Sequence, residues 1–429
     1  MSHFVCPCFS IAVVEACADG LTAPSSLQEG SVRTILRVPR SQAKRVLAAI
    51  VLACMACIGL ACSLGNSDSS RPPDPPTKAV QYAYVTNTGD NTVSAFKVDT
   101  DTGDITLVAV TPVGRAPRAI GFADRGKGIM YVANSGDNTI SQFSVSDDGL
   151  LHPLTPAVVA TGKTPVSLTV NSSSIDVANQ GDNTVTHYDA GPDGALQSIG
   201  VVSAGLRPSA LEPQYGNFVI GAANAILTVP QPRDTTPGQT VDTPYLPSCL
   251  VYGSTQASIS AEGLSVLYVG DANSNAITAY SVGVRPTILK RKLGVISTSA
   301  RPIGLSIAPS LQEKYLYALT DDGVVTQYDF AHADTPGSTA LPTLVSAIRP
   351  PQRPVALKAL ISGTRELVYA VTDQNSFQAY VVTDKINPNF AHSGATGKNP
   401  TAIAGVTKFL PITTTPPSPA PGHVNTTIK

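Results

Sequence analysis

An internal repeat constrains this chain more than any other feature. The stretch Tyr131-Val132-Ala133-Asn134-Ser135-Gly136-Asp137-Asn138-Thr139-Ile140 reads as an apolar strand, a polar turn and an alternating strand. Close copies occupy 84–93 and 176–185, and looser echoes begin at Phe218, Tyr268, Tyr317 and Tyr369, successive copies lying 42 to 52 residues apart. A period in the forties with several short strands per unit predicts an all-β chain, a seven-bladed β-propeller with four-stranded blades. A single blade cannot bury its own faces, so the units must stack into one ring.

A second element recurs ahead of each copy: Pro117-Arg118-Ala119-Ile120, Pro165-Val166-Ser167-Leu168, Pro208-Ser209-Ala210-Leu211, Gln256-Ala257-Ser258-Ile259, Pro302-Ile303-Gly304-Leu305, Pro354-Val355-Ala356-Leu357 and Pro400-Thr401-Ala402-Ile403. A small residue followed by an aliphatic one suits an innermost strand, where blades converge and little space remains between them. Blade two then reads as inner strand 118–123, second strand 129–134, third strand 139–145 and outer strand 156–161. The first Tyr-Val strand has no inner strand before it, and the last Pro-x-small-aliphatic element has no Tyr-Val strand after it. Strand 401–406 is therefore expected to complete blade one beside 82–87, closing the ring by C-terminal strand pairing and removing two sheet edges. Blade four is irregular: Phe218-Val219-Ile220-Gly221 lacks the Asp-Asn turn, and 231–247 reads as an insertion before an outer strand near 249–252.

The propeller is assigned to 79–406. Ahead of it, Lys44-Arg45, an apolar run from Val46 to Ala61 and then Cys62 resemble a bacterial lipoprotein signal, with Cys62 as the lipidated residue. Cys57 and Cys54 compete for that role, and an uncleaved anchor helix or plain secretion are the alternatives. Residues 1–62 form the extension and signal, 63–78 a Pro/Ser-rich tether, and 407–429 a Thr/Pro-rich tail. Either route exports the body to the cell envelope, with membrane contact only through the N-terminal anchor. Six of the seven cysteines lie at or before position 62, so only Cys249 remains in the folded body, without a partner for a disulfide. Net charge is −1 and charged residues make up 14% of the chain, which excludes bulk affinity for nucleic acid. A monomer is expected.

Against this low charge, six of seven linkers place a basic residue just before the inner strand: Arg115, Lys163, Arg207, Arg301, Arg353 and Lys398, the seventh linker being read as Ser254-Thr255-Gln256. Linkers and the turns between second and third strands emerge on one face. The cations can form a ring around the channel mouth, suited to carboxylate or phosphate ligands, or can pair with the turn carboxylates Asp90, Asp137, Asp182, Asp271, Asp321 and Asp373. The turn Asp residues themselves read as braces rather than metal ligands. One inner-strand row reads Gly121, Thr169, Glu212, Ser260, Ser306, Lys358 and Ala404. Glu212 and Lys358 stand out near the axis, as a base and an electrophile in a pocket or as solvated channel residues. No His/Cys cluster has metal spacing, and neither a Gly-x-Ser-x-Gly nor a phosphate-cradling glycine loop occurs, so neither metal nor cofactor is expected. His152, His187, His332, His392 and His423 read as surface residues.

The Tyr-Val-Thr-Asn and Tyr-Val-Ala-Asn strands with Gly-Asp-Asn-Thr turns resemble the YVTN-repeat propellers of the lactonase-like, 6-phosphogluconolactonase-type family. The resemblance implies a seven-bladed ring and admits lactone hydrolysis on the linker face. Lactonases of this type carry His after a linker Pro-Arg and Glu after the Tyr-Val-x-Asn strand. Here the first positions hold residues such as Ile303 and Ser209, and the second hold Thr88, Ser135 and Gln180, so no catalytic residue carries over. The expected function is binding of an anionic small molecule or a protein partner on the linker face. The alternatives are hydrolysis of an acidic sugar lactone, with Glu212 as base and linker arginines holding the anion, and structural surface display.

Overall fold

A computed structural model of the chain describes residues 77–411, except 100–102, 125–127, 172–173, 215–216, 224, 231–238, 244–245, 254–263, 285–286, 309–314, 331–340, 363–364, 383–384 and 387–391. The signal segment with Cys62, most of the tether and the tail beyond 411 lie outside the described residues, as do His332 and His423.

Blade one holds β1 (Thr77–Asn87), β2 (Thr92–Val98) and β3 (Ile105–Pro112). Blade two holds β4 (Pro117–Ala123), β5 (Ile129–Asn134), β6 (Thr139–Val145) and β7 (Leu151–Ala160). Blade three holds β8 (Pro165–Val170), β9 (Ser174–Asn179), β10 (Thr184–Ala190) and β11 (Leu196–Ser203), and blade four holds β12 (Ala210–Gln214), β13 (Asn217–Ala222), β14 (Ala225–Pro230) and β15 (Gln239–Asp242). Blade five follows with β16 (Pro247–Gly253), β17 (Leu264–Asp271), β18 (Ala276–Val284) and β19 (Thr287–Ser297). Blade six has β20 (Pro302–Ile307), β21 (Tyr315–Thr320), β22 (Val325–Asp329) and β23 (Thr343–Ile348). Blade seven has β24 (Pro354–Ser362), β25 (Arg365–Thr372), β26 (Ser376–Val382) and β27 (His392–Ala395); β28 (Pro400–Pro411) ends the described chain.

These strands make seven four-stranded antiparallel sheets, and β28 is the inner strand of blade one. The closure pairs Tyr82 with Val406 and continues outward to Thr77 with Pro411, past the 79 and 406 boundaries expected from sequence. Lys408 on β28 fastens the closure to blade two: its ammonium donates to the carbonyls of Val145 at 2.9 Å and Ser146 at 2.7 Å and pairs with Asp147 at 3.0 Å. The inner strands touch their neighbours in cyclic order, β28 to β4, β8, β12, β16, β20, β24 and back to β28.

Second and third strands are sandwiched between blades, which is why β5 is buried at every position while β7 is mostly exposed. Seven apolar clusters result, each spanning two adjacent blades. The repeated tyrosine adds a polar tie to the next blade: Tyr84 donates to the Gly149 carbonyl at 2.9 Å and Tyr131 to that of Gly194 at 2.7 Å. In blades one, two, three, five and six the outer strand bulges beside the third-strand aromatic, at Phe96, Phe143, Tyr188, Tyr280 and Tyr328. Bulges of this kind blunt an open sheet edge.

Three expectations need correction. The outer strand of blade two starts five residues earlier than 156, at Leu151. Residues 249–252 are not the outer strand of blade four; they lie in β16, the inner strand of blade five, while β15 closes blade four. The Pro-x-small-aliphatic frame is met there by Pro247-Ser248-Cys249-Leu250, and Val251 takes the row position assigned to Ser260; residues 254–263, with Gln256–Ile259, lie outside the described residues. A cysteine in the small-residue slot hid the motif. Finally, His187 is not a surface residue: it is fully buried on β10, with Nδ1 2.7 Å from the equally buried Asp176 carboxylate. Asp176 stands where five other blades carry the repeated tyrosine and blade four an apolar residue, so blade three buries a polar pair at this position.

Candidate functional site on the linker face

The linkers and the turns between second and third strands meet at one end of the ring, as the sequence predicts. The Gly136 N–H donates to the Arg115 carbonyl at 2.9 Å, and the Gly181 N–H to that of Lys163 at 2.9 Å. Four of the turns carry their special backbone at an asparagine: Asn91, Asn138, Asn183 and Asn375 have φ of 57–59°, while in blade six Gly323 takes φ of 83°. The glycine serves a different need, since a Cβ on Gly136 would stand 3.0 Å from Arg115 Cβ and 3.1 Å from its carbonyl oxygen.

Two grips hold each regular linker. The positive-φ asparagine of the preceding blade accepts from the residue before the proline: Ala116 N–H reaches Asn91 Oδ1, and Thr164 N–H reaches Asn138 Oδ1, both at 2.8 Å. The turn aspartate of the following blade accepts from the cation's own backbone N–H: Arg115 to Asp137 at 2.6 Å, Lys163 to Asp182 at 2.6 Å and Lys398 to Asp90 at 2.7 Å. Between these grips Ala116, Thr164, Arg207 and Asn399 sit at φ of 50–52°, a left-handed conformation costly for side-chain-bearing residues. Beneath the linker, the buried Asn134 donates to Thr139 at 3.1 Å and Ser141 at 2.9 Å, tying second strand to third.

The cations divide into two groups. Arg115 Nε lies 2.5 Å from Asp137, Lys163 Nζ 3.9 Å from Asp182 and Arg301 Nη2 2.6 Å from Asp321. The backbone and guanidinium N–H groups of Arg115 hold the Asp137 carboxyl below its ordinary value. Arg207, Lys398 and Arg353, by contrast, have no carboxylate on their side chains among the described residues, and all three are exposed. Arg353 does not take Asp373 of its own blade. Its Nε and Nη2 donate to the backbone carbonyl of Asp321 in blade six, at 2.9 and 2.6 Å. Arg349, which sequence reading missed, donates to the Asp322 carbonyl at 2.6 Å and its carboxylate at 3.0 Å. Three guanidinium groups therefore surround the two carboxylates of one turn. Arg349 was hidden because it directly follows an outer strand, four residues before Arg353 and outside the linker motif.

In the channel Glu212 is half-buried and Lys358 exposed, and neither has a hydrogen bond or ion pair among the described residues. Burial pushes the Glu212 carboxyl up to about 7, with only Lys358 opposing that shift. The rest of the row is Gly121, Thr169, Val251, Ser306 and Ala404; Ser306 is committed, accepting from the Ala359 N–H of the next inner strand at 2.9 Å.

The positions where lactonases carry Glu after the second strand perform structural work here. Thr88 donates to the Pro117 carbonyl at 2.6 Å, Ser135 to that of Ala116 at 2.8 Å and Gln180 to that of Pro208 at 3.4 Å. Among the described residues no group of His, Cys, Asp and Glu could hold a metal ion, and no helix is long and apolar enough to cross a membrane.

The family model for the lactonase, 7-bladed beta-propeller matches residues 77–168, from β1 into β8. No curated protein matches the chain. Solved structures share the fold at low identity. A candidate 6-phosphogluconolactonase from Bacteroides fragilis has 17% identity and a TM-score of 0.61, covering 76% of this chain and 98% of its own. A second, from Bacteroides uniformis, has 14% identity and a TM-score of 0.60, covering 77% and 99%. The Pseudomonas aeruginosa periplasmic gluconolactonase PpgL has 13% identity and a TM-score of 0.59, covering 78% and 99%. This chain is thus a seven-bladed β-propeller, similar in sequence to the lactonase propellers over residues 77–168 and similar in fold to these structures around the ring.

Proposed function

We propose that the protein is an exported, lipid-anchored propeller, processed at Cys62, that binds an anionic ligand on its linker face. The observation that supports this most is Arg353. Its guanidinium is held in place by a backbone carbonyl, and the two carboxylates nearest to it are engaged by Arg301 and Arg349. A fixed arginine with spare N–H donors and no carboxylate is ready for a phosphate or carboxylate. Arg207 and Lys398 add positive charge at the same end of the ring. The periplasmic location named for PpgL agrees with the export reading. A thermal-shift screen of the full-length protein against sugar acids, phosphosugars and their lactones tests binding. Stabilisation by anions that an Arg353→Ala/Arg207→Ala variant loses is the expected result; no shift with any anion sinks the proposal and leaves a protein-interaction or display role.

Glu212 favours hydrolysis of an acidic lactone as the second reading. A carboxyl poised at about 7, facing an ammonium across the channel, has the acid–base balance such a reaction uses. Glu212 would take a proton as water adds to the lactone carbonyl carbon, and Lys358 would face the resulting oxyanion. The ring C–O bond then breaks, the proton passes to the departing oxygen, and a hydroxy acid leaves. Release of acid from 6-phosphogluconolactone above the spontaneous rate, lost in Glu212→Gln, is the corresponding assay.

A further inference from the structure

Strand register places one residue of every inner strand at the same level of the channel. Each pairs with the second-strand position that the repeated tyrosine marks: Gly121 with Tyr131, Ala404 with Tyr84, Lys358 with Tyr369 and, in the irregular blade four, Glu212 with Val219. Thr169, Val251 and Ser306 stand at the same level in their blades. The strands of Glu212 and Lys358, β12 and β24, are three steps apart in the cyclic order of the seven inner strands. That is the greatest separation such a ring allows, so the two strands face each other across the axis.

This level holds one acid and one base among short side chains. None of the other five extends past its γ atoms. Gly121 lies hard against the next inner strand, where a Cβ would stand 2.5 and 2.6 Å from methyl groups of Leu168 and Val170. The acid and the base sense each other without meeting. Lys358 opposes the rise of the Glu212 carboxyl, and Glu212 in turn helps to push up the Cys249 thiol on β16, yet neither Glu212 nor Lys358 has a hydrogen bond or ion pair among the described residues. Charges that tie blades together do meet in this ring, as Lys408 and Asp147 do at 3.0 Å. A buried acid without a partner weakens the fold at neutral pH, so this pair is not a brace. A cost of that kind is characteristic of a binding site.

We infer that this level of the channel binds a small amino acid as its zwitterion, the ligand's ammonium on Glu212 and its carboxylate on Lys358. A simple anion would satisfy Lys358 alone and meet Glu212 as a like charge; a simple amine would do the reverse. Only a ligand bearing both charges completes both groups. The site goes beyond the anion reading at Arg353 and shares no residue with it, and it uses the two groups that the hydrolytic reading also invokes.

The test is calorimetric titration of the full-length protein at pH 7 with glycine, 4-aminobutyrate and 6-aminohexanoate, a series that grades the spacing of the two charges. Butyrate and butylamine are the controls with one charge each. The titrations are repeated on Glu212→Gln, which keeps the size of the side chain, and on Lys358→Met, at an exposed position. The inference expects at least one amino acid to bind, butyrate and butylamine to bind at least about tenfold more weakly, and each variant to lose about tenfold for the amino acid. Proton release is the second readout. With the Glu212 carboxyl at about 7, an arriving ammonium expels its proton, so the heat of binding differs between buffers of different ionisation enthalpy in the parent and not in Glu212→Gln. Butyrate that binds as tightly as the amino acids, unchanged in Glu212→Gln, overturns the inference and leaves the anion reading at Arg353 standing. Amino acids that bind both variants like the parent overturn the channel assignment. If none of the three binds, the inference falls, and the anion screen and the lactone assay are still read on their own.

Discussion

The linkers of blades one to three and those of blades six and seven use the same residue types to opposite ends. In the first sector the cation stands two residues before the proline, as in Gly114-Arg115-Ala116-Pro117. Its backbone N–H and its blade's turn aspartate form a latch, and a left-handed residue completes the grip. In the second sector the arginine stands directly before the proline, as in Arg301-Pro302 and Arg353-Pro354, and neither arginine has a positive φ. Shifting the cation by one residue removes its N–H from the aspartate; Arg301 then pairs through its side chain with Asp321 of its own blade, while Arg353 reaches the Asp321 carbonyl across blades. A repeated charge is thus structural in one place and available to a ligand in another. Register decides the backbone latch but not the side-chain partner: Lys398 is latched and has no carboxylate on its side chain among the described residues, whereas Arg301 is unlatched and paired with Asp321.

The latch sector should break first when its base is removed. Asn134→Leu deletes two buried hydrogen bonds and strands the Thr139 and Ser141 hydroxyls, a loss of about 3 kcal/mol in urea denaturation. The same assay on Arg353→Ala should show no comparable loss. Outside both sectors, on the inner strand of blade four, Glu212 makes stability depend on pH with a definite sign. Its ordinary value is 4.5 and burial raises it to about 7. Between those values the unfolded chain releases the proton while the folded chain keeps it. Stability therefore falls from pH 4.5 to 7 and then levels off. Glu212→Gln should abolish that decline and gain about 3 kcal/mol at pH 8, with no gain at pH 4.

A smaller effect sharpens the contrast within the latch sector itself. In blade three Thr161 donates to Asn179 Oδ1 at 3.1 Å, while the matching Asn134 Oδ1 in blade two is buried without a partner, Val113 standing in the threonine's place. Val113→Thr should raise stability by about 1 kcal/mol, read as a shifted urea midpoint. The smallest effect is at Asp137. Its carboxyl is held below 3.8 by Arg115, so its contribution is complete at neutral pH and is lost as pH falls through its folded value. Asp137→Asn and the parent protein should converge in stability at acid pH and separate above it.

The ring, its closure and the positions of most strands were legible because blade geometry imposes a repeat on the sequence: small residues near the axis, Tyr-Val in the sandwiched strand, Asn at the left-handed turn. What escaped did so for local reasons. Cys249 filled a slot otherwise held by Ala, Ser or Gly, which displaced the reading of blade five's inner strand by one motif. His187 looked solvent-facing because alternation assigns a side to a residue but not a partner, and its partner Asp176 replaces a tyrosine. At the site, the six linker cations could be read from their spacing. Their division into paired and free could not, since Arg353 leaves its own Asp373 for a carbonyl in the neighbouring blade.

The most direct test of this account compares two arginines that look alike in sequence. Binding of 6-phosphogluconate and of gluconate should be measured by calorimetry on the parent protein, Arg115→Ala and Arg353→Ala, at matched ionic strength. The account predicts that at least one of these anions binds the parent and Arg115→Ala alike, and that Arg353→Ala weakens its binding about tenfold or more. Equal weakening by both substitutions, or an effect of Arg115→Ala alone, would contradict the division of the linker face into a latched and an open sector.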